Sequence, residues 1–429
     1  MYDLAIIGAG WAGFNAALKA KQAGLKACLI EKADIGGTCL NLGCIPTKTL
    51  CQSAKIYSLA KKSAHFGIEI ISSHPDFIKI QERKDRIIRQ LRSGMQSVLT
   101  GVDFFNAEAF VLSKNEIRAG DKTLKTKFIL AACGSRPLEL SAFKFNALNI
   151  LSSNDMLGIK EIPQSLLIIG GGVIGIEFAS IFSAFGTKVT VAEKMSQLIP
   201  GIDSEAARKI EAIFKKKGII VKTNTDANSL NQQEYNLTLV CVGRAPCAEN
   251  LGLANAGVNT ERGRVIVDDF LKTSVDNIYA AGDCTAKIML AHFAAYQGRI
   301  AVENMLSPDK PKRIDCANIP NCIFTEPEIA SVGLSEDEAK NKGLDIRIDK
   351  FDFLGSGMAR ILEETEGFIK LVSDKKTGLL LGACIIGPKA TELIGTLTLA
   401  ITNRLKLSQI KDTVFGHPTL CESINEAIK

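Results

Sequence analysis

The sequence predicts an α/β protein with two dinucleotide-binding units of the strand, glycine turn, helix, strand kind, followed by a C-terminal mixed α+β domain. Three observations carry this. A chain of 429 residues is longer than one hydrophobic core usually serves, so two or three domains are expected. A hydrophobic content of 46% with 23% charged residues is that of an ordinary globular protein. Most informative is an internal repeat. Leu4-Ala-Ile-Ile-Gly8-Ala-Gly10-Trp-Ala-Gly13 returns 162 positions later as Leu166-Leu-Ile-Ile-Gly170-Gly-Gly172-Val173-Ile-Gly175, and the same offset carries Gly24 to Gly186 and Glu31 to Glu193.

Each unit reads as a buried strand, a G-x-G-x-x-G turn, a helix, a glycine stop and a second strand ending on an acid. The first glycine allows the tight turn, the second lets a pyrophosphate approach the backbone, and the third lets helix and strand pack closely. Phosphates then meet free N–H groups at the positive end of the helix. The terminal carboxylate can accept the ribose hydroxyls. One such motif is weak evidence, since glycine turns also arise for structural reasons. Two in the same context at one offset are strong. Two nucleotides on one chain suggest electron exchange between them. The charge of Glu193 disfavours a 2′-phosphate, so NAD is expected rather than NADP.

Composition excludes other classes. The net charge of +6 is spread without a basic block, so no nucleic-acid partner is expected. The twelve cysteines are dispersed over a long chain, as in reduced intracellular proteins. No basic leader precedes the first strand, and no apolar run approaches the ~20 residues of a spanning helix. A cytoplasmic protein without a membrane partner is expected.

After the first unit comes Gly36-Gly37-Thr38-Cys39-Leu-Asn-Leu-Gly-Cys44-Ile-Pro-Thr-Lys48. Zinc binding fits poorly, because four residues separate the cysteines and no second ligand pair follows. Two buried structural thiols are a second reading. A disulfide is a third. It requires an irregular helix, since five residues of regular helix rise about 7.5 Å, beyond the ~7 Å limit on Cα separation. Gly43 and Pro46 offer that irregularity.

This segment resembles the redox-active disulfide of the pyridine nucleotide–disulfide oxidoreductases, and the resemblance runs nearly end to end. Ile278-Tyr-Ala-Ala-Gly-Asp283 is similar to the family's second FAD motif, and Met289-Leu290-Ala291-His292 to the segment lying along the flavin. Val242-Gly243-Arg-Ala-Pro246 resembles the strand end closing the NAD domain. Ile319–Gly333 resembles the opening of the dimerisation domain, and His417-Pro-Thr-Leu-Cys-Glu422 its catalytic tail.

The resemblance implies FAD held by Gly8, Gly10, Gly13, Glu31, Lys32, Gly37, Thr38, Lys48, Gly134, Asp283 and the 289–292 segment. It implies NAD held by Gly170, Gly172, Val173, Gly175, Glu177, Glu193 and Gly243. It also implies Cys39 as outer sulfur, Cys44 as inner sulfur, His417 as base oriented by Glu422, and a Lys48–Glu177 pair beside the flavin. No metal is implied. Taken alone, Lys48 and Glu177 would read as surface charges and His417 as a core histidine.

Within the family, the Cys39–Pro46 segment and the His417–Leu420 tail are most similar to the members that oxidise dihydrolipoamide. The chain lacks the terminal cysteine pair of mercuric reductases, and Glu193 stands where glutathione-type reductases carry arginine. The implied partners are a second copy of the chain and a lipoyl-bearing protein of a 2-oxo acid dehydrogenase or glycine cleavage system. The alternatives are a reductase of another small disulfide and a flavin-binding redox sensor without turnover. Three features depart from the family: Phe415 replaces a histidine, Cys133 replaces a threonine, and Thr223–Tyr235 alone links two strands of the NAD domain. Expected boundaries are 1–142 (FAD), 143–264 (NAD), 265–305 (return to the FAD domain) and 306–429 (dimerisation).

Overall fold

The computed structural model describes residues 1–429. The apolar runs at Leu4–Ile7 and Ala27–Ile30 lack the alternation of half-exposed strands, as expected where helices cover both faces of a sheet. They form parallel neighbours, β1 (Tyr2–Ile7) and β2 (Ala27–Glu31), with Leu4 opposite Ala27 and Ile7 opposite Ile30. Between them runs α1 (Trp11–Gln22), which buries Phe14 and the small residues Ala12, Ala16, Ala17 and Ala20. The chain then makes a helical excursion through α2 (Gly37–Leu42), α3 (Cys44–Lys61) and α4 (Phe77–Val98), the last capped by Asp76. It returns as β3 (Asp103–Asn106) beside β2, and Lys122–Ala131 pairs on the other side of β1.

The second unit repeats this layout. Its five parallel strands lie in the order Ile220–Lys222, Lys188–Ala192, Ser165–Ile169, Leu237–Val240, Ile150–Leu151. The helix Val173–Ala184 follows the second glycine turn. The shortened link holds only two single 3-10 turns, Ala227–Ser229 and Gln232–Glu234. In both glycine turns the third glycine is enforced by close approach. A Cβ at Gly13 would stand 1.8 Å from the Gly8 carbonyl oxygen, and one at Gly175 2.0 Å from that of Gly170.

The return to the first domain begins earlier than residue 265. Arg244–Pro246 pairs antiparallel with Ser135–Pro137, and Ala248, Leu253 and Val258 pack in the core of the first sheet. Sequence places these residues in the second unit only because they precede the next recognisable motif. Gly243, at φ +135°, turns the chain back directly after the last parallel strand. Ile278–Ala280 then pairs parallel with Ile129–Ala131, bringing Asp283 to the first glycine turn.

The C-terminal region is an antiparallel sheet, Asn321–Ile323, Glu328–Gly333, Leu380–Gly387, Phe368–Asp374, Ile346–Asp352, covered by the helix Ala390–Thr402. Ile323, Ile329 and Ile386 share a core with Phe178 and Phe182 of the second unit and Leu50 of α3. That shared core fixes the three parts around one cleft. No helix is long and apolar enough to cross a membrane.

Candidate active site

A cavity of about 1500 Å³ opens where α1, α3 and the helix Val173–Ala184 begin, and both glycine turns face it. At the middle glycines the backbone is accessible. Nothing lies within 4 Å of a Cβ placed at Gly172, and the nearest atom to one at Gly10 is 4.0 Å away. The two carboxylates are held alike. Glu31 accepts the N–H groups of Ala9 at 2.7 Å and Ala33 at 2.9 Å. Glu193 accepts those of Gly171 and Met195, both at 2.7 Å. Each acid is thus tied to its own glycine turn. Size, bare backbone and paired acids fit two dinucleotides.

Between the cradles sit Cys39 and Cys44. Gly43 leaves the helical conformation (φ −153°, ψ −108°) and separates α2 from α3. Pro46 is the third residue of α3, where its missing N–H costs nothing. The break turns the two thiols toward each other, and they share a hydrogen bond. That hydrogen bond, aided by the nearby Lys48 charge, lowers the Cys44 pKa to about 7 against the opposing effect of burial. The same bond and burial push Cys39 up. Cys44 also heads a helix, a position that favours thiolate.

Lys48 lies one turn after Cys44, on the same face of α3. Its Nζ meets the two oxygens of Glu177 at 2.9 and 2.8 Å. Glu177 is 2% exposed and also accepts the Phe324 N–H at 2.9 Å. The Phe324 ring lies 4.8 Å from the Lys48 ammonium. The pair therefore joins α3, the second unit and the C-terminal domain at the cavity wall.

Thr38, Gly134, Gly243, Asp283, Met289, Leu290, Ala291, His292, Gly170, Val173 and Glu193 line the same cavity. Gly8, Gly13 and Gly175 stand behind the wall as packing glycines, and the Gly37 backbone abuts Gly10. The Lys32 ammonium is exposed, 3.4 Å from Glu108. His417 and Glu422 are joined, Nδ1 to Oε1, at 2.9 Å, and Glu422 also accepts the Thr419 N–H at 2.8 Å. The dyad is outside this cavity, with the His417 side chain 83% exposed.

Sequence reasoning missed Ser135 and Arg244. The Ser135 hydroxyl donates to Asp283 at 2.5 Å and accepts from Arg244 Nε at 2.7 Å. It also missed Trp11, whose indole N–H has no oxygen or nitrogen partner and faces the Cys39 sulfur. The ordinary Gly-Arg-Ala-Pro and Gly-Ser-Arg-Pro turn signals gave no hint that the first two meet.

Two nucleotide cradles on one cavity, with a thiol pair between them, define a flavin–nicotinamide redox enzyme. Residues 2–298 match the family described as pyridine nucleotide-disulphide oxidoreductase, and residues 319–428 match its dimerisation domain. Dihydrolipoyl dehydrogenase of Geobacillus stearothermophilus is 40% identical, over 98% of this chain and 94% of that protein. A dihydrolipoyl dehydrogenase of Bacillus subtilis is 39% identical, over 99% of this chain and 95% of that protein. Among solved structures, the HOCl-induced flavoprotein disulfide reductase RclA of Escherichia coli superposes with a TM-score of 0.89 at 29% identity, covering 100% of this chain and 99% of that one. The chain belongs to the pyridine nucleotide–disulphide oxidoreductase family. It is an oxidoreductase acting on sulfur groups with FAD and NAD, and it carries the family's dimerisation domain.

Proposed function

We propose that this enzyme is a homodimer that oxidises dihydrolipoamide borne on a lipoyl protein, with NAD+ as final acceptor. The observation that carries this is the Cys39–Cys44 pair between the two nucleotide cradles, with its acidic member beside Lys48. Full-length similarity to dihydrolipoyl dehydrogenases supports the choice of substrate.

In the oxidised state Cys39 and Cys44 share a disulfide. His417 of the partner subunit, oriented by its Glu422, takes a proton from one substrate thiol. The resulting thiolate attacks the Cys39 sulfur and expels Cys44 as a thiolate. The second substrate thiol then attacks the substrate sulfur of this mixed disulfide, closing the cyclic disulfide and releasing Cys39, which takes up that thiol's proton. Substrate has lost two electrons and two protons; the cysteine pair has gained both electrons. Cys44 stays anionic because Cys39 donates to it and Lys48 lies near. FAD, when bound, would supply the two-electron acceptor between this dithiol and NAD+. The FAD site comprises Gly10, Thr38, Gly134, Asp283 and the Met289–His292 segment. Lys48, fixed by Glu177, supplies a cation where negative charge develops.

The test compares NADH formation from dihydrolipoamide with NAD(P)H-driven reduction of glutathione disulfide. Faster NADH formation is expected, with NAD favoured over NADP by about tenfold or more, because ribose hydrogen bonds to a charged Glu193 contribute about 1.5–3 kcal/mol. Exclusive turnover of glutathione disulfide would replace this reading with that of a small-disulfide reductase.

A further inference from the structure

We infer that Arg244 and Ser135 are positioning residues for the flavin site: Arg244 fixes Ser135, and the Ser135 hydroxyl aims Asp283 into the cofactor cavity. The inference rests on Asp283 being an acceptor for the FAD sugar chain.

Three hydrogen bonds determine the direction of this relay. Arg244 Nε donates to Ser135 Oγ at 2.7 Å, and an Arg244 Nη donates to the Ser135 carbonyl at 2.8 Å. With an incoming donor on its oxygen, the Ser135 hydroxyl turns its one proton to Asp283 Oδ2, at 2.5 Å. A hydroxyl has one proton to give, so the serine is oriented by the arginine. Asp283 then has Oδ2 engaged and Oδ1 without a protein donor, and the residue lines the cavity. Arg244 is half-buried, and the Asp283 charge counters the effect of its burial. No direct ion pair joins them, so the arginine acts on Asp283 through the serine.

The relay lies where the chain crosses back from the second unit to the first. Arg244 directly follows the last strand of the second unit, whereas Ser135 and Asp283 follow strands of the first sheet. Antiparallel pairing of Arg244–Pro246 with Ser135–Pro137 fixes the register between them. The crossover out of the second unit therefore bears on the flavin-binding carboxylate. The competing view is that the arginine merely ties two strands together. In that case the variants would lower stability without altering flavin binding selectively.

The experiment measures FAD dissociation constants and release rates by flavin fluorescence, with thermal melts of the flavin-free chain alongside. Ser135→Ala and Arg244→Met are each expected to weaken FAD binding about tenfold or more, the range for losing a hydrogen bond to a charged group. The melting temperature of the flavin-free chain should be unchanged. Ser135→Thr keeps the hydroxyl and should bind as wild type. Arg244→Lys should not restore affinity, because an ammonium cannot reproduce the two-point fork. The double variant should be no weaker than the weaker single variant, because both break one relay. If Asp283→Asn weakens FAD binding while Ser135→Ala and Arg244→Met do not, the relay is wrong and the reading of Asp283 survives. If Asp283→Asn binds FAD normally, the reading of Asp283 fails and the relay with it. Equal losses of stability and FAD affinity in Arg244→Met, with Ser135→Ala unaffected, would reduce Arg244 to a structural tie.

Discussion

The chemistry turns on two thiols of the same residue type made unequal by their surroundings. A hydrogen bond joins them, and Lys48 adds a nearby positive charge that favours the Cys44 thiolate. A lowered pKa means that thiolate forms as pH rises through about 7 and is lost below it. In the FAD-loaded, two-electron-reduced enzyme, a long-wavelength thiolate-to-flavin absorbance band should therefore grow in around neutral pH. Lys48→Met removes the cation and should move that midpoint to higher pH. Cys39→Ser should keep the band and Cys44→Ser should lack it, with turnover lost in both. A band found only in the Cys44 variant would reverse the inner and outer assignments. The cysteines, glycines and acids were legible in the sequence because each belongs to a local motif. The Lys48–Glu177 pair could be anticipated only through family resemblance, as its members are 129 residues apart. Ser135 and Arg244 were not legible, because each depends on which loops the sheets bring together.

Elements are joined here by one heavily charged contact. Lys370, on the strand Phe368–Asp374, is 3% exposed. Its ammonium lies 3.1 Å from both carboxylate oxygens of Asp203, 2.7 Å from Glu205 and 3.2 Å from Glu336. Asp203 is 2% exposed and caps the helix Ser204–Lys216 through the Glu205 and Ala206 N–H groups. The C-terminal sheet is thereby pinned to the second nucleotide unit. Lys370→Met would leave Asp203 buried without its cation, a loss that costs about 3–5 kcal/mol in comparable sites. A clear fall in the urea midpoint is expected. Lys216→Ala, which breaks an exposed pair with Glu366, should cost less than about 1 kcal/mol. Equal midpoints for the two variants would show that the buried cluster does not hold the domains. None of this was readable from sequence, where Lys370 is an ordinary lysine in an apolar run. The repeat at 162 residues, by contrast, exposed the sheets, since strand and glycine periodicity are local. The crossing at Arg244 escaped because the segment behind it forms strands of only two residues, Thr260–Glu261 and Arg264–Val265.

At the scale of the whole molecule, one chain holds the sulfurs and the base apart. Cys39 and Cys44 lie in the cavity, whereas the His417–Glu422 dyad is on the dimerisation domain with the imidazole 83% exposed. That domain also leaves large apolar side chains in water: Leu354 at 58%, Ile361 at 61%, Leu399 at 64% and Val414 at 95% exposure. The dimerisation domain matched over residues 319–428 is the part of the chain expected to meet a second copy. A two-fold interface would cover it and build two equivalent sites, each with sulfurs from one chain and a base from the other. The competing arrangement brings the tail back over its own cavity. Mixed dimers of a Cys39→Ser chain and a His417→Ala chain separate the two. With shared sites, one site of each mixed dimer carries both substitutions and is dead. The other combines the intact Cys39 and the intact His417. Activity per mixed dimer should then recover to about half of wild type, although each parent homodimer is inactive. If sulfurs and base came from one chain, both sites would remain damaged. Purified, mass-verified mixed dimers without activity would therefore rule out the shared site even if the protein proved dimeric.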